Sequence, residues 1–310
     1  MNPAYSVIFL TTLIGAAQGL FIALWGADLA GVARVDGGRS FLLSGGVLAL
    51  LLTGAGLVSS FFHLGRPERA WRTATKWRTS WLSREVIALP VFMGGVFVWV
   101  VAQAMHSEAT ALIGLVTVLA SLALFVCTAM VYASVRFLQE WASAYTLVNY
   151  ALLGLASGFT LATALAAFAA PPLVASYGVL ALLLTALGWL SRALSLARNA
   201  RLKPKSTLQS AIGIRHPKIA QRAMGFMGGS FNTREFFHGK SAGALRRVKW
   251  VFLLGAFALP LLLLSGGLAG GVPALLVLAF VVQYLGLLAE RWFFFAQANH
   301  PQNIYYQAVS

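Results

Sequence analysis

Two ionisable side chains stand where apolar sequence stops and starts. His63 closes an apolar run, in Phe61-Phe-His-Leu-Gly-Arg-Pro-Glu-Arg-Ala-Trp71, and Glu85 opens the next, in Trp77-Arg-Thr-Ser-Trp-Leu-Ser-Arg-Glu85. If the two runs are antiparallel neighbouring helices, both groups lie at one membrane depth. Ionisable groups at the edge of hydrocarbon are costly and often mark a functional pathway. A histidine titrates near neutral pH and a carboxylate can take or give a proton. Beside an apolar cavity, such a pair suits proton exchange with a quinone, whose oxygens gain or lose protons as electrons move. Trp71, Trp77 and Trp81 offer faces for the ring, and Arg66, Ser83 and Arg84 are secondary candidates. The same residue types are also ordinary interfacial anchors. Glu85 could simply pair with Arg84 or Arg66, so both readings stand on these residues alone.

The elements that must carry these groups follow from composition. Of 310 residues, 59% are hydrophobic and 10% charged, far from the charge content of a soluble domain. Eight apolar runs long enough to cross a bilayer cover approximately 6–30, 41–62, 84–105, 109–136, 143–170, 173–196, 250–268 and 272–295. Lipid-facing backbone must satisfy its own hydrogen bonds, so each run is predicted to be a helix. The expected fold is all-α: a polytopic bundle of eight transmembrane helices forming one domain over 1–310. Glycines such as Gly45, Gly46, Gly54, Gly56, Gly154 and Gly158 read as close helix packing. No cleaved signal peptide is evident.

Charge sets the expected orientation. The net charge of +15 resides in loops, a topology signal and not a nucleic-acid one. With eight spans, one face holds both termini and 21 of the 23 Lys and Arg; the other holds only Arg34 and Arg39. The positive-inside rule puts the basic face, and both termini, in the cytoplasm. A basic and aromatic loop, 197–249, lies on that face. Its Phe231, Arg234, Phe236 and Phe237 suit either anionic headgroups or a docked protein.

Several chemistries are excluded. The lone Cys127 rules out an intrachain disulfide and a cysteine-held cluster or zinc, and no metal site is expected in the chain itself. A bis-histidine haem needs two facing histidines on helices, whereas His106, His216, His238 and His300 fall in loops or at chain ends, so no haem is expected.

Phe62-His-Leu-Gly-Arg-Pro67 with Arg69-Ala70, followed by Ser80-Trp-Leu-Ser-Arg-Glu85, resembles the signature of the membrane anchors of dimethyl sulfoxide reductase, the DmsC-like family, over nearly the whole chain. The opening Met1-Asn-Pro-Ala-Tyr-Ser-Val-Ile-Phe9 resembles many members too. The resemblance implies a quinone-reactive anchor without haem, exchanging electrons with ubiquinone or menaquinone. It implies a four-cluster iron–sulfur subunit as direct partner, and beyond it a molybdenum catalytic subunit with bis-molybdopterin guanine dinucleotide. It also implies functional roles for His63 and Glu85. The long loop, with Gly213-Ile-Arg-His-Pro217 and Gly229-Ser-Phe-Asn-Thr-Arg-Glu-Phe-Phe-His-Gly239, is more similar to the SoeC-like branch of cytoplasmic sulfite dehydrogenases. That branch implies sulfite oxidation in the bacterial cytoplasm, with electrons passing to quinone. The alternative is a reductase anchor oxidising menaquinol. A transporter is disfavoured by the lack of a clear repeat and by the few charged residues in mid-span. A purely structural anchor would need neither His63 nor Glu85.

Overall fold

The computed structural model describes residues 1–35, 37–62, 64–220 and 238–305. Eight of its helices are long and apolar enough to cross a membrane. They are α1 (Tyr5–Leu29), α2 (Gly38–Phe61), α3 (Trp81–Ala104), α4 (Thr110–Ala133), α5 (Ala144–Ala169), α6 (Val174–Ala200), α8 (Ala242–Gly270) and α9 (Pro273–Ala296). A short α7 (Leu208–Ile212) lies in the long connection, and a 3₁₀ segment, Pro67–Lys76, joins α2 to α3. This is the all-α, eight-span architecture expected of the sequence.

Serines start three of the helices. Ser80, Ser143 and Ser241 each present a side-chain oxygen to a backbone N–H of the first turn, of Ser83, Tyr145 and Ala244. Such caps satisfy donors that a helix start leaves open. Ser241 lets α8 begin before its apolar stretch, so Arg246, Arg247 and Lys249 sit on its first turns. At the other end, α6 runs past its apolar stretch to Ala200. There Arg198 reaches the Gln139 carbonyl at 3.0 Å, keeping its charge out of the apolar layer. The connection between these helices is therefore 201–241, shorter than the predicted loop 197–249.

Neighbouring helices define two four-membered rings. In the first, α1 meets α2, α2 meets α3, α3 meets α4 and α4 returns to α1. In the second, α5 meets α6, α6 meets α8, α8 meets α9 and α9 returns to α5. The rings share a seam made chiefly by α1 against α5, with α4 against α5 and α1 against α9 beside it. Central α1 is the most buried span.

The seam is close because both helices carry glycine four residues apart: Gly15 and Gly19 on α1, Gly154 and Gly158 on α5. A Cβ placed on Gly158 would overlap the backbone of Gly19 and Leu20, and one on Gly19 would overlap the Gly154 carbonyl. In lipid no hydrophobic effect drives helices together, so this close contact and buried hydrogen bonds hold them. Gln18 Nε2 donates to the Ser121 carbonyl of α4 at 2.6 Å, and Tyr177 on α6 donates to the Ala23 carbonyl of α1 at 2.6 Å. A second close approach occurs where a single π turn, Leu254–Ala258, sets Gly255 of α8 against Gly286 of α9.

Gly158→Leu should force the rings apart, because its side chain meets backbone that cannot turn aside. The expected loss is at least about 1–3 kcal/mol, the usual cost of overpacking. It is read as a lower detergent melting temperature. Gly94→Leu, where nothing lies within 4 Å, is the control and should melt as the parent does.

Candidate functional site

At the basic end of the seam is a narrow cavity of about 20 Å³, enough for roughly one water molecule. Helices of both rings wall it: Thr12 and Gln18 from α1, Glu85 from α3, Thr128 from α4, Tyr150 from α5 and Arg291 from α9. Glu85 lies one turn into α3. Its Oε1 accepts a hydrogen bond of 2.7 Å from Thr128 Oγ1, which ties α3 to α4. A carboxyl with one hydroxyl donor and a water-sized space beside it can lose and regain a proton without moving the backbone.

Behind the cavity lies an ionic cluster. Arg192 Nε on α6 is 2.7 Å from Glu290 Oε1 on α9, and Arg291 Nε is 3.0 Å from Glu290 Oε2. The side chains of Arg192 and Glu290 are each 1% exposed, so water does not weaken the pair. Aromatic faces replace water around the cations: Tyr150 lies 4.0 Å from the Arg291 guanidinium, and Phe252 lies 5.5 Å from that of Arg192. Toward the basic face, Tyr132, Trp141, Tyr150, Phe294 and Phe295 form one aromatic layer. Trp141 Nε1 fixes that layer by donating to the Phe294 carbonyl at 2.9 Å.

The residues singled out from sequence are not all brought together. Glu85 enters the cavity. Arg84 does not pair with it; its Nε and Nη2 donate to the Trp77 and Arg78 carbonyls, both at 2.9 Å, and its guanidinium covers the Trp81 ring at 4.2 Å. Ser83 is buried, with its N–H on the Ser80 cap. Arg66 is exposed at the start of the 3₁₀ segment. Trp71 and Trp77 are exposed and do not line the cavity. His63, Phe231, Arg234, Phe236 and Phe237 lie outside the described residues.

Tyr150 and the Arg192–Glu290–Arg291 cluster are not singled out by sequence pattern as site residues. Glu290 and Arg291, which end the last span, read from the sequence as an interhelical or interfacial pair. The available signal is the placement of Arg192 inside an apolar run, since ionisable groups at that depth are rarely idle.

A groove of about 570 Å³ opens on the same end, between the α4–α5 connection, the start of the long connection and the last 3₁₀ turn, Pro301–Tyr305. Phe137, Gln139, Glu140, Lys203, Lys205 and His300 line it. The His300 ring stacks edge-on to Phe137 at 5.3 Å, and partial burial holds its imidazole below the usual histidine range.

An all-helical bundle of eight candidate spans is the architecture that the anchor motif implied. Residues 1–295 match the family of the DMSO reductase anchor subunit (DmsC), and the chain belongs to that family. The resemblance carried by the His63 and Glu85 motifs thus extends over nearly the whole sequence. The chain is also 53% identical, over 325 aligned positions covering all of both proteins, to the C subunit of sulfite dehydrogenase from Allochromatium vinosum.

Glu290→Ala would leave two buried arginines without their shared anion. The expected cost is roughly 3–5 kcal/mol, that of stranding a buried charge. It should appear as loss of folded protein in detergent, whereas Glu68→Ala, at an exposed pair, should leave stability unchanged.

Proposed function

We propose that this multi-pass protein is the quinone-reactive membrane anchor of a sulfite-oxidising molybdenum and iron–sulfur complex, passing electrons from cytoplasmic sulfite oxidation to the quinone pool. The observation that carries this reading is Glu85: a carboxyl on the seam of the bundle, hydrogen-bonded by Thr128, beside a water-sized cavity one turn below the basic face. Membership of the DmsC family and the 53% identity to the sulfite dehydrogenase relative support the assignment of class and substrate.

A bound quinone supplies two-electron, two-proton chemistry. The donor set fits that chemistry, but a cavity of about 20 Å³ holds a water and not a six-membered ring. In this reading His63 would hold one quinone oxygen and its proton. Glu85, which lines the cavity, would exchange the other proton, with Thr128 fixing the carboxyl's orientation. Arg66, Trp81, Ser83 and Arg84 shape the turn and keep it at the membrane boundary.

The basic face lies in the cytoplasm of a bacterial inner membrane, as the Lys and Arg count indicates. It docks the iron–sulfur subunit, which carries the molybdenum subunit. Phe231, Arg234, Phe236 and Phe237 of the long connection supply contacts, since Arg and aromatic residues are favoured at such interfaces. Deleting 228–239 should release the soluble subunits into the supernatant of washed membranes. Their retention at parental levels would remove the docking role.

The purified complex should turn over sulfite with an oxidised quinone analogue. Glu85→Gln and His63→Ala should each lower that rate roughly 10²-fold or more, the usual contribution of a proton-transferring side chain. Oxidation of sulfite by an artificial dye should persist, because it bypasses the anchor. Parental quinone rates in both variants would discard the site. Turnover of dimethyl sulfoxide with reduced quinone analogue, and none with sulfite, would favour instead a reductase anchor of the same family.

A further inference from the structure

The ionic cluster carries more positive than negative charge. Arg192 and Arg291 are two cations, and Glu290 is one anion; all three are buried. A buried ion pair seldom stabilises more than apolar packing of the same volume, and an uncompensated cation at membrane depth is costlier still. Its presence calls for a second anion within reach. Glu85 is the one carboxyl among the residues that line the cavity with Arg291, and it becomes that anion only when it gives up its proton.

The surroundings of Glu85 leave few other partners. Helix α1 faces the cavity with Thr12 and Gln18, both neutral, and Tyr284 of α9 meets Thr12 at 3.2 Å. On α3 itself, Arg84 is committed to the backbone of the preceding turn. Helix α4 contributes Thr128, Cys127 and Tyr132, helix α5 contributes Tyr150, and α9 contributes Arg291 and Glu290. The only ionisable side chain among the described residues of α2 is Arg39, at the opposite end of the bundle. Tyr150 lies against Arg291 and within electrostatic reach of both Glu85 and Glu290. Tyr132 stacks on Tyr150 at 5.7 Å and feels both Glu85 and Arg291.

We infer that Arg291, held in place by Glu290 and Arg192, is a positioning residue whose charge balances the Glu85 carboxylate each time Glu85 gives up its proton. The inference rests on the reading of Glu85 as the proton-exchanging group. The step is a simple proton transfer: the O–H bond of the Glu85 carboxyl breaks, the proton leaves through the cavity, and a proton from water on the basic face restores it. Arg291 neither gives nor takes a proton. It stabilises the ionised carboxyl in a place that would otherwise favour only the neutral acid.

The test follows the Glu85 carboxyl directly. Infrared difference spectra of the assembled complex, recorded against pH without quinone, would show its protonated C=O band, identified by disappearance in Glu85→Gln. In Arg291→Gln the titration should move to higher pH by roughly one to three units, the range expected for losing an adjacent opposite charge. Arg291→Lys should return it most of the way. The alkaline limb of quinone turnover should follow the same order. An unmoved titration in assembled Arg291→Gln overturns the inference, even if Glu85→Gln is inactive and the quinone reading stands. A moved titration with full turnover in Glu85→Gln keeps the charge coupling and removes the quinone reading instead. Should Arg291→Gln fail to assemble, Arg192→Gln removes one cation from the far side of Glu290. A smaller shift in the same direction is then expected, and no shift overturns the inference.

Discussion

Everything at the site depends on backbone touching backbone where α1 crosses α5. Gly15, Gly19, Gly154 and Gly158 remove the side chains that would hold the helices a full diameter apart. With the two rings pressed together, α3 and α4 on one side and α5 and α9 on the other come near enough to enclose a single small cavity. Glu85 would otherwise face lipid at the margin of its own ring. Thr128 and Tyr132 of α4 reach it within its own ring, and Tyr150 and Arg291 share its cavity or its field from across the seam.

Membrane burial explains why that neighbourhood is so fully furnished. No bulk water reaches Arg192 or Glu290, so direct contact at 2.7 Å and flanking aromatic faces take its place. The same logic accounts for Gln18, Gln283 and Tyr177, mid-span polar groups that reach across to a neighbouring helix. Each donates across to a neighbouring helix because lipid offers no alternative partner. These longer polar side chains therefore mark helix–helix contacts, whereas Thr53, Thr160 and Thr163 bond back to their own helices.

That rule shows what was legible in the sequence. The eight spans were readable because about twenty apolar residues in a row have few other uses. Glu85 was readable because a carboxylate beginning such a run is expensive. The cluster of Arg192, Glu290 and Arg291 was not assembled from sequence, since its members come from helices nearly a hundred residues apart and no local spacing joins them. Side-chain direction was also hidden. Trp71, Trp77 and Trp81 share composition with a ring-binding pocket, yet Trp71 and Trp77 face outward and Trp81 lies under Arg84. Helix ends overshot the apolar runs wherever a serine cap or a long basic side chain allowed it, as at Ser241 and Arg198.

The position of α1 at the centre has a consequence for how the protein is made. Translation delivers Gly19 well before Gly158, which follows it 139 positions later in the chain. At ribosomal rates of about 5–20 residues per second, the glycine stripe of α1 stands without its partner for roughly 7–28 s. During that interval α2 can already pack on α1, but the face destined for α5 meets lipid or the insertion machinery. By the time α5 is made, the surface of α1 that it packs against already exists. The central helix is thus the first span made, and the wall of the cavity at the seam is complete only when the last span, bearing Arg291, arrives.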